Sequence, residues 1–314
     1  MTDHNFFLWP KSHYQKDMRF LLRRPSTREV ETKLHSLFPN GYPVLVSSGR
    51  AGIRLVLSKL GLGRPDLVGL FPYASHCVID VVGRVATPVP VMLNVKTNVS
   101  LVYHQWGYVQ ERKSERIIVE DAVDTLCQPG GDLFPAGGDF EVWSLPKILG
   151  TLGGGVIWCK DAEEAEELKS FRDLSGSSGW LIRALGVRWS IFHGYWSGIE
   201  GGRGNLTPIG ISEVMSAISL WQSHVEDRKV KLDLLRSFIP HWLEQANGRL
   251  PCVIPVAVTE QVQLKLRELG VVTGLRHMER IHVDGKRELV KLYPLPIHQD
   301  VPLLIVERMA EVLS

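Results

Sequence analysis

Short apolar runs recur along the first half of the chain and alternate with segments of helical spacing, and this alternation most limits what the chain can fold into. Val44-Leu45-Val46, Leu67 to Phe71, Val89 to Leu93, Ser100 to Tyr103, Arg116 to Val119, Phe140 to Trp143 and Gly155 to Trp158 read as buried strands. Between the first two, Ile53, Val56, Leu57 and Leu60 recur at helical spacing after the small residues Ser47, Ser48 and Gly49, and Gly61 and Gly63 end that helix. His76 to Val85 reads as the next helix. Such a pattern predicts an α/β fold: a three-layer αβα large domain on a mainly parallel sheet, with its site residues gathered at strand ends.

An N-terminal arm and a helix over Thr27 to Leu37 precede this region, and Asp161 to Arg172 follows it as a surface helix with Asp161 as its N-cap. Ser175 to Gly204, rich in Gly, Ser and Trp, reads as an irregular loop region. Ile209 to about Phe238 is helical and connects to a second unit. That unit holds apolar runs at Cys252 to Val258 and Leu289 to Tyr293, a helix near Gln261 to Leu269 and a last helix over Pro302 to Leu313. The expected division is a large domain over residues 1–225 and a small C-terminal α/β domain over 226–314, a size split that 314 residues support.

Charge narrows the partners. With 36 Lys and Arg against 34 Asp and Glu, a net charge of +2 gives no global field for nucleic acid or anionic lipid. Cys77, Cys127, Cys159 and Cys252 lack both metal-ligand spacing and the density of a disulfide-stapled domain. Polar residues such as His13, Lys16 and Asp17 interrupt any signal-peptide core, and no apolar run is long enough to span a bilayer. A cytoplasmic protein without nucleic-acid or membrane partners is the expectation.

Three segments carry chemistry. In Gly138-Asp139-Phe140-Glu141-Val142-Trp143-Ser144-Leu145-Pro146-Lys147 a strand ends at a serine, with a lysine three residues later in a turn. The hydroxyl can meet a phosphate while the amine reaches an aldehyde carbon; the plainer reading is a solvated loop lysine. In Ile117-Ile118-Val119-Glu120-Asp121-Ala122 two carboxylates stand at the carboxyl end of an apolar strand, the edge where ligands bind in an open parallel sheet. One of them can pair with a protonated pyridine nitrogen; alternatively they cap a helix or are solvated. Ser47-Ser48-Gly49-Arg50-Ala51-Gly52 opens an amphipathic helix, whose free N–H groups and positive dipole end favour phosphate, with Arg50 adding a charge-assisted contact.

In this order the segments resemble the DegT/DnrJ/EryC1/StrS family of sugar aminotransferases. Ser48-Gly49-Arg50-Ala51-Gly52-Ile53 is similar to the family's Asn-Gly-Thr-Ala-Ala-Leu turn, and Pro72-Tyr73-Ala74-Ser75-His76 to its Pro-Ser-Tyr-Thr-Phe. Tyr103-His104-Gln105-Trp106-Gly107 is similar to Val-His-Leu-Tyr-Gly, Glu120-Asp121-Ala122 to Glu-Asp-Ala, and Leu295-Pro296-Ile297-His298 to Leu-Pro-Leu-His. The resemblance runs from about residue 40 to the carboxyl terminus.

It implies a pyridoxal-phosphate enzyme with the cofactor held as a Schiff base on Lys147, which then acts as general base. Asp121 keeps the pyridine nitrogen protonated, and His76 replaces the aromatic ring stacked on the cofactor. Ser48, Gly49, Arg50 and Ser144 hold the phosphate, joined by Asn205 from a second subunit, so that a homodimer follows. The implied reaction moves an amino group from glutamate to a nucleotide-linked keto sugar, in the biosynthesis of deoxysugars or polysaccharides such as lipopolysaccharide.

Two departures stand out. Asp124 replaces the family's Gln or His near the cofactor's phenolic oxygen, and the segment before Lys147 is two residues shorter than the family's Ser-Phe-Tyr-Pro-Thr-Lys. They leave room for a non-catalytic or regulatory member of the fold, or for another sugar-modifying pyridoxal-phosphate enzyme. Elsewhere, the histidines His193, His224, His241, His277, His282 and His298 show no metal-ligand pairing. Gly153-Gly154-Gly155 serves turns and close packing, and Trp180, Trp189 and Trp196 fill a core or interface or stack on a sugar or base. Tyr195 and Arg203 divide between substrate contact and loop packing.

Overall fold

The computed structural model describes residues 5–12, 24–71, 74–91, 95–110, 117–177, 179–189, 203–243, 245–282 and 286–314. His13, Lys16, Asp17, Pro72, Tyr73, His193, Tyr195 and Trp196, all singled out in the sequence, lie outside them.

The first half runs α1 (Thr27–Leu37), β1 (Tyr42–Val46), α2 (Gly49–Lys59), β2 (Leu67–Leu70), α3 (His76–Gly83), β3 (Thr87–Pro90), β4 (Val99–Tyr103), β5 (Ile117–Asp121), β6 (Leu126–Cys127), β7 (Phe140–Ser144), α4 (Leu145–Leu149) and β8 (Gly155–Cys159). There follow α5 (Ala162–Asp173), α6 (Trp180–Arg188), α7 (Pro208–Ile218), α8 (Trp221–Leu235), β9 (Arg249–Leu250), β10 (Val253–Val256), α9 (Glu260–Glu268), β11 (Arg276–Ile281), β12 (Arg287–Pro296) and α10 (Leu303–Leu313).

Seven strands form one sheet in the order β1-β8-β7-β5-β4-β2-β3. The pairs β2/β3, β2/β4, β4/β5 and β5/β7 are parallel, and β8 alone runs antiparallel to its neighbours β1 and β7. Helices cover both faces, so the central strands read as unbroken apolar runs; β8 is buried at every residue. A three-stranded sheet, β10-β12-β11, stands apart, and β6 pairs with β9.

The expected α/β architecture holds, with local corrections. The strand expected to stop at Val119 continues through Glu120 and Asp121. That expected at Val89 to Leu93 is seen as Thr87–Pro90, with Met92 and Leu93 outside the described residues. Ser175 to Gly204 is not all loop, since α6 lies within it. The helical stretch after Ile209 is two helices, broken around Ser219 and Leu220. Lys147 sits in a one-turn helix rather than a bare turn.

One apolar cluster joins the two sheets. It contains Val30 and Leu34 of α1, Trp143 and Trp158 of the large sheet, Trp221 of α8, Tyr293 and Leu295 of β12 and Met309 of α10. Phe38 packs edge-on against Trp143, Trp158 and Trp221 with ring centroids 5.1–5.5 Å away, the geometry the ring quadrupoles favour. A buried ion pair ties β9 to the large sheet: Arg249 donates to both oxygens of Glu141 on β7, at 2.7 and 2.6 Å. Trp143 Nε1 and the Phe134 N–H also donate to that carboxylate. Among the described residues no helix is long and apolar enough to cross a membrane.

Candidate active site

β1, β5 and β7 point the same way, so the segments that follow them emerge at one sheet edge. These are Ser47 to Gly49, Asp121 to Asp124 and Ser144 to Lys147. Their contact is close. A Cβ placed on Gly49 would lie 3.1 Å from Val123 Cγ1 and 3.5 Å from Ser144 Cβ. Ser48 caps α2 by accepting from the Ala51 N–H at 3.2 Å, while among the described residues nothing accepts from the Gly49 N–H. That free donor at the positive end of an 11-residue helix, with the Ser144 side chain beside it, has the chemistry of an anion seat. The glycine triplet makes room for it: a Cβ on Gly155 would stand 2.6 Å from Ser48 C and 2.7 Å from Gly49 N.

Pro146 lies in the first turn of α4, where its missing N–H costs nothing, and Gly150 ends the helix in the left-handed conformation. This single turn aims Lys147 at the end of β5. Lys147 Nζ is 3.1 Å from Asp124 Oδ1, and its side chain is 29% exposed against 0% for Asp124. The Trp9 indole lies over the amine, 4.4 Å from ring centroid to Nζ, and its Nε1 donates to Asp124 Oδ1 at 2.8 Å. The Tyr103 hydroxyl donates to the other oxygen, Asp124 Oδ2. Asp124 is therefore buried but well supplied with donors, with an ammonium, an indole and a phenol around it.

Asp121 is the opposite case. Its carboxylate is 2% exposed, and among the described residues it accepts one long hydrogen bond, 3.4 Å, from the Val123 N–H. Burial pushes its pKa up; Lys147 opposes this and Asp124 adds to it, leaving Asp121 raised from 3.8 to about 7. For Lys147, burial pulls the amine down, but the charges of Asp124 and Asp121 and the hydrogen bond to Asp124 outweigh it, so its pKa stands above the ordinary lysine value. Burial and the Asp124 charge push the Tyr103 phenol well above its usual value, keeping it a donor.

The other sequence candidates fall around this cluster. Glu120, adjacent to Asp121 but on the other face of β5, is fully buried. His104 Nε2 lies 2.6 Å from it, and the N–H groups of Ala136 and Gly138 donate to it at 3.2 and 2.6 Å. His104 Nδ1 accepts from the Gln110 N–H, so Nε2 carries the proton. Glu120 is thus a loop anchor, neither helix cap nor solvated acid. His76 is exposed at the start of α3, and its neighbour Cys77 is among the groups that act on Lys147. Arg50 is half-buried in the first turn of α2.

The Asn205 amide donates to the carbonyls of Arg172 and Ser175, both at 2.9 Å. Its segment is held at the site edge by Ser47, whose hydroxyl donates to the Arg203 carbonyl and whose N–H donates to that of Gly204. Arg203 Nη1 donates to the Ser177 carbonyl at 3.3 Å, a loop-packing role. Trp180 Nε1 donates to Glu213 at 2.9 Å. No cluster of His, Cys, Asp and Glu among the described residues fits a metal. Sequence reasoning missed Trp9 altogether and gave Tyr103 no role, because neither carries a local signal; both contacts exist only once distant segments have folded together.

The sequence profile of a family described as "Putative PLP-dependent aminotransferase" matches residues 30–302. The chain belongs to this family. Its fold is that of the sugar aminotransferases. It aligns with the aminotransferase TlmJ from Streptoalloteichus hindustanus at TM-score 0.66 and 18% identity, covering 99% of this chain and 98% of that one. It aligns likewise with the sugar aminotransferase CalS13 from Micromonospora echinospora, at TM-score 0.64 and 18% identity over 92% and 91% of the chains. A DegT DnrJ EryC1 StrS aminotransferase from Brucella abortus gives 0.60 and 13% over 92% and 89%. No curated protein matches the sequence.

The residues present suit the cofactor of this family. Asp121 is a buried carboxylate with one long hydrogen bond among the described residues, and a pyridinium N–H would give it a further donor. Lys147 has an amine in the same charged cluster, and the Gly49 N–H with Ser144 could hold a phosphate.

Proposed function

We propose that the chain transfers an amino group from glutamate to a keto group on a nucleotide-linked sugar, with pyridoxal phosphate anchored on Lys147. One observation carries this reading: the Lys147 amine and the under-bonded Asp121 carboxylate share one buried charged cluster at the strand ends. When bound, the cofactor supplies an aldehyde that an amine can capture and a ring that takes up the electron pair left on the substrate carbon.

Lys147 would hold that aldehyde through its amine and, when free, would act as the general base that moves a proton at the reacting carbon. Asp121 keeps the proton on the pyridine nitrogen. Ser48, Gly49, Arg50 and Ser144 orient the phosphate, and Asp124 faces the lysine from the position where the resembling family carries Gln or His. His76, at the start of α3, is placed by the resemblance against the cofactor ring. Asn205 from a second copy would complete the phosphate seat, for which its amide must release the Arg172 and Ser175 carbonyls. A homodimer belongs to this reading. Leu174 beside that segment is 89% exposed, and Leu181 of α6 is 65% exposed, leaving apolar surface for a partner copy. The nucleotide-sugar acceptor rests on the fold shared with the sugar aminotransferases.

Incubation with glutamate should convert the bound cofactor's absorbance to that of its amine form, and Lys147→Ala should lose both the imine absorbance and turnover. A variant retaining either would remove Lys147 from its role. Nucleotide-linked keto sugars then identify the acceptor by amine formation, and failure of all of them despite a complete glutamate half-reaction would exclude a sugar acceptor.

A further inference from the structure

We propose that Asp124, gripped by Trp9 and Tyr103, is a positioning residue that holds Lys147 as its ammonium and so keeps the amine from capturing an aldehyde until a proton has left it. This rests on Lys147 being the anchor, but it concerns a residue at which the chain departs from the family it resembles.

The geometry is particular to this chain. Asp124 Oδ1 is shared between Lys147 Nζ at 3.1 Å and Trp9 Nε1 at 2.8 Å, and Asp124 Oδ2 is taken by the Tyr103 hydroxyl. Two neutral donors fix the carboxylate's orientation, so it cannot turn away from the amine. The Trp9 ring closes the other side of the ammonium at 4.4 Å, a contact that favours the charged form. Other titratable groups also face this amine: Asp121 at the end of β5, Cys77 from the first turn of α3, and Cys252 just ahead of β10, itself next to Arg228. Among these, Asp124 alone is in direct contact.

An ammonium has no lone pair. For the Lys147 nitrogen to bond to an aldehyde carbon, one proton must first leave to solvent against the pull of Asp124. As the carbonyl oxygen leaves as water it takes one proton from solvent and a second from the nitrogen, which ends with one proton and a positive charge facing Asp124. Trp9 and Tyr103 occupy part of the carboxylate's hydrogen-bonding capacity, so each weakens its hold on the ammonium.

The test is the pH dependence of aldehyde capture by full-length protein freed of cofactor. The probes are pyridoxal phosphate and its phosphate-free analogue pyridoxal; the readouts are imine absorbance and, after borohydride trapping, the mass of the Lys147 peptide. Asp124→Asn should lower the pH midpoint of capture by about 1–3 pH units, because the opposite charge is gone while burial remains. Trp9→Phe, which keeps a ring over the amine but removes the N–H donor, and Tyr103→Phe should both raise it. Opposite shifts in the two kinds of variant support the proposal, and the second kind reports even if Asp124→Asn does not fold. Unchanged midpoints in all variants, or shifts in one common direction, overturn it. An adduct absent from Lys147 in the unaltered protein would instead overturn the anchor assignment.

Discussion

At the residue scale, the two acids at and just beyond the end of β5 have opposite environments, and this sets their roles. Among the described residues Asp124 meets three donors, whereas Asp121 has one long one. An aspartate whose pKa rises on folding penalises the ionised native state. The stability linked to it is fully present below the unfolded value of 3.8 and is lost as pH rises to about 7. Over that interval the loss amounts to about 4 kcal/mol. Asp121→Asn removes the titration. In cofactor-free protein the variant should therefore gain on the parent in melting temperature between about pH 4 and pH 7, with a constant difference above that range. Added pyridoxal phosphate should narrow the difference by giving the carboxylate its missing donor. Thermal unfolding across a buffer series measures this, and a gap that ignores pH would mean that Asp121 is not held in this state. Asp121, Lys147, Ser144 and Gly49 were legible in the sequence because each follows an apolar run by a few positions. Trp9 was not, since its bond to Asp124 spans 115 positions and nothing in Phe7-Leu8-Trp9-Pro10 marks the segment as part of a site.

At the scale of elements, the large sheet was legible because strands covered on both faces by helices must be apolar throughout. The strand β11, Arg276 to Ile281, was not, since Arg276, Glu279 and Arg280 interrupt any such run and its pairing with β12 leaves it at an edge. Helix α6 was hidden by the surrounding Gly and Ser, which locally favour turns. Where β8 crosses the start of α2, packing decides function. Gly155 is the point of closest approach, and its missing Cβ lets the strand lie against the Ser48–Gly49 peptide. Gly155→Ala must push backbone against backbone, costing about 1–3 kcal/mol of stability as in other overpacked cores. The displaced atoms belong to the anion seat, so the variant should bind pyridoxal phosphate more weakly while capturing phosphate-free pyridoxal as before. Absorbance titrations with the two aldehydes separate these effects. Equal loss for both would place the phosphate elsewhere.

At the scale of the whole molecule, the N-terminal arm joins the C-terminal loop to the lysine. Phe6 pairs with Val271, His298 Nε2 donates to the Phe7 carbonyl at 2.9 Å, and the Lys11 N–H donates to Asp300 at 2.7 Å. Between these ties Trp9 is laid on Lys147, so a residue of the first dozen and a loop near position 300 jointly fix the amine. Gly150 seats the far end of this strap. It terminates the helix that bears Lys147, with φ +74°, and a Cβ there would come 2.8 Å from the Lys11 carbonyl oxygen. Gly150→Ala therefore combines left-handed strain of about 1 kcal/mol with a clash that lifts the arm. Gly61→Ala is the matched control: its φ is +68° and nothing lies within 4 Å of the added carbon, so it carries the strain alone. Both variants should melt lower than the parent, Gly150→Ala by the larger margin. If the arm is what holds Trp9 on Lys147 and Asp124, only Gly150→Ala should also shift the pH midpoint of aldehyde capture. An identical response in both variants would show that helix strain, rather than the arm, governs the lysine.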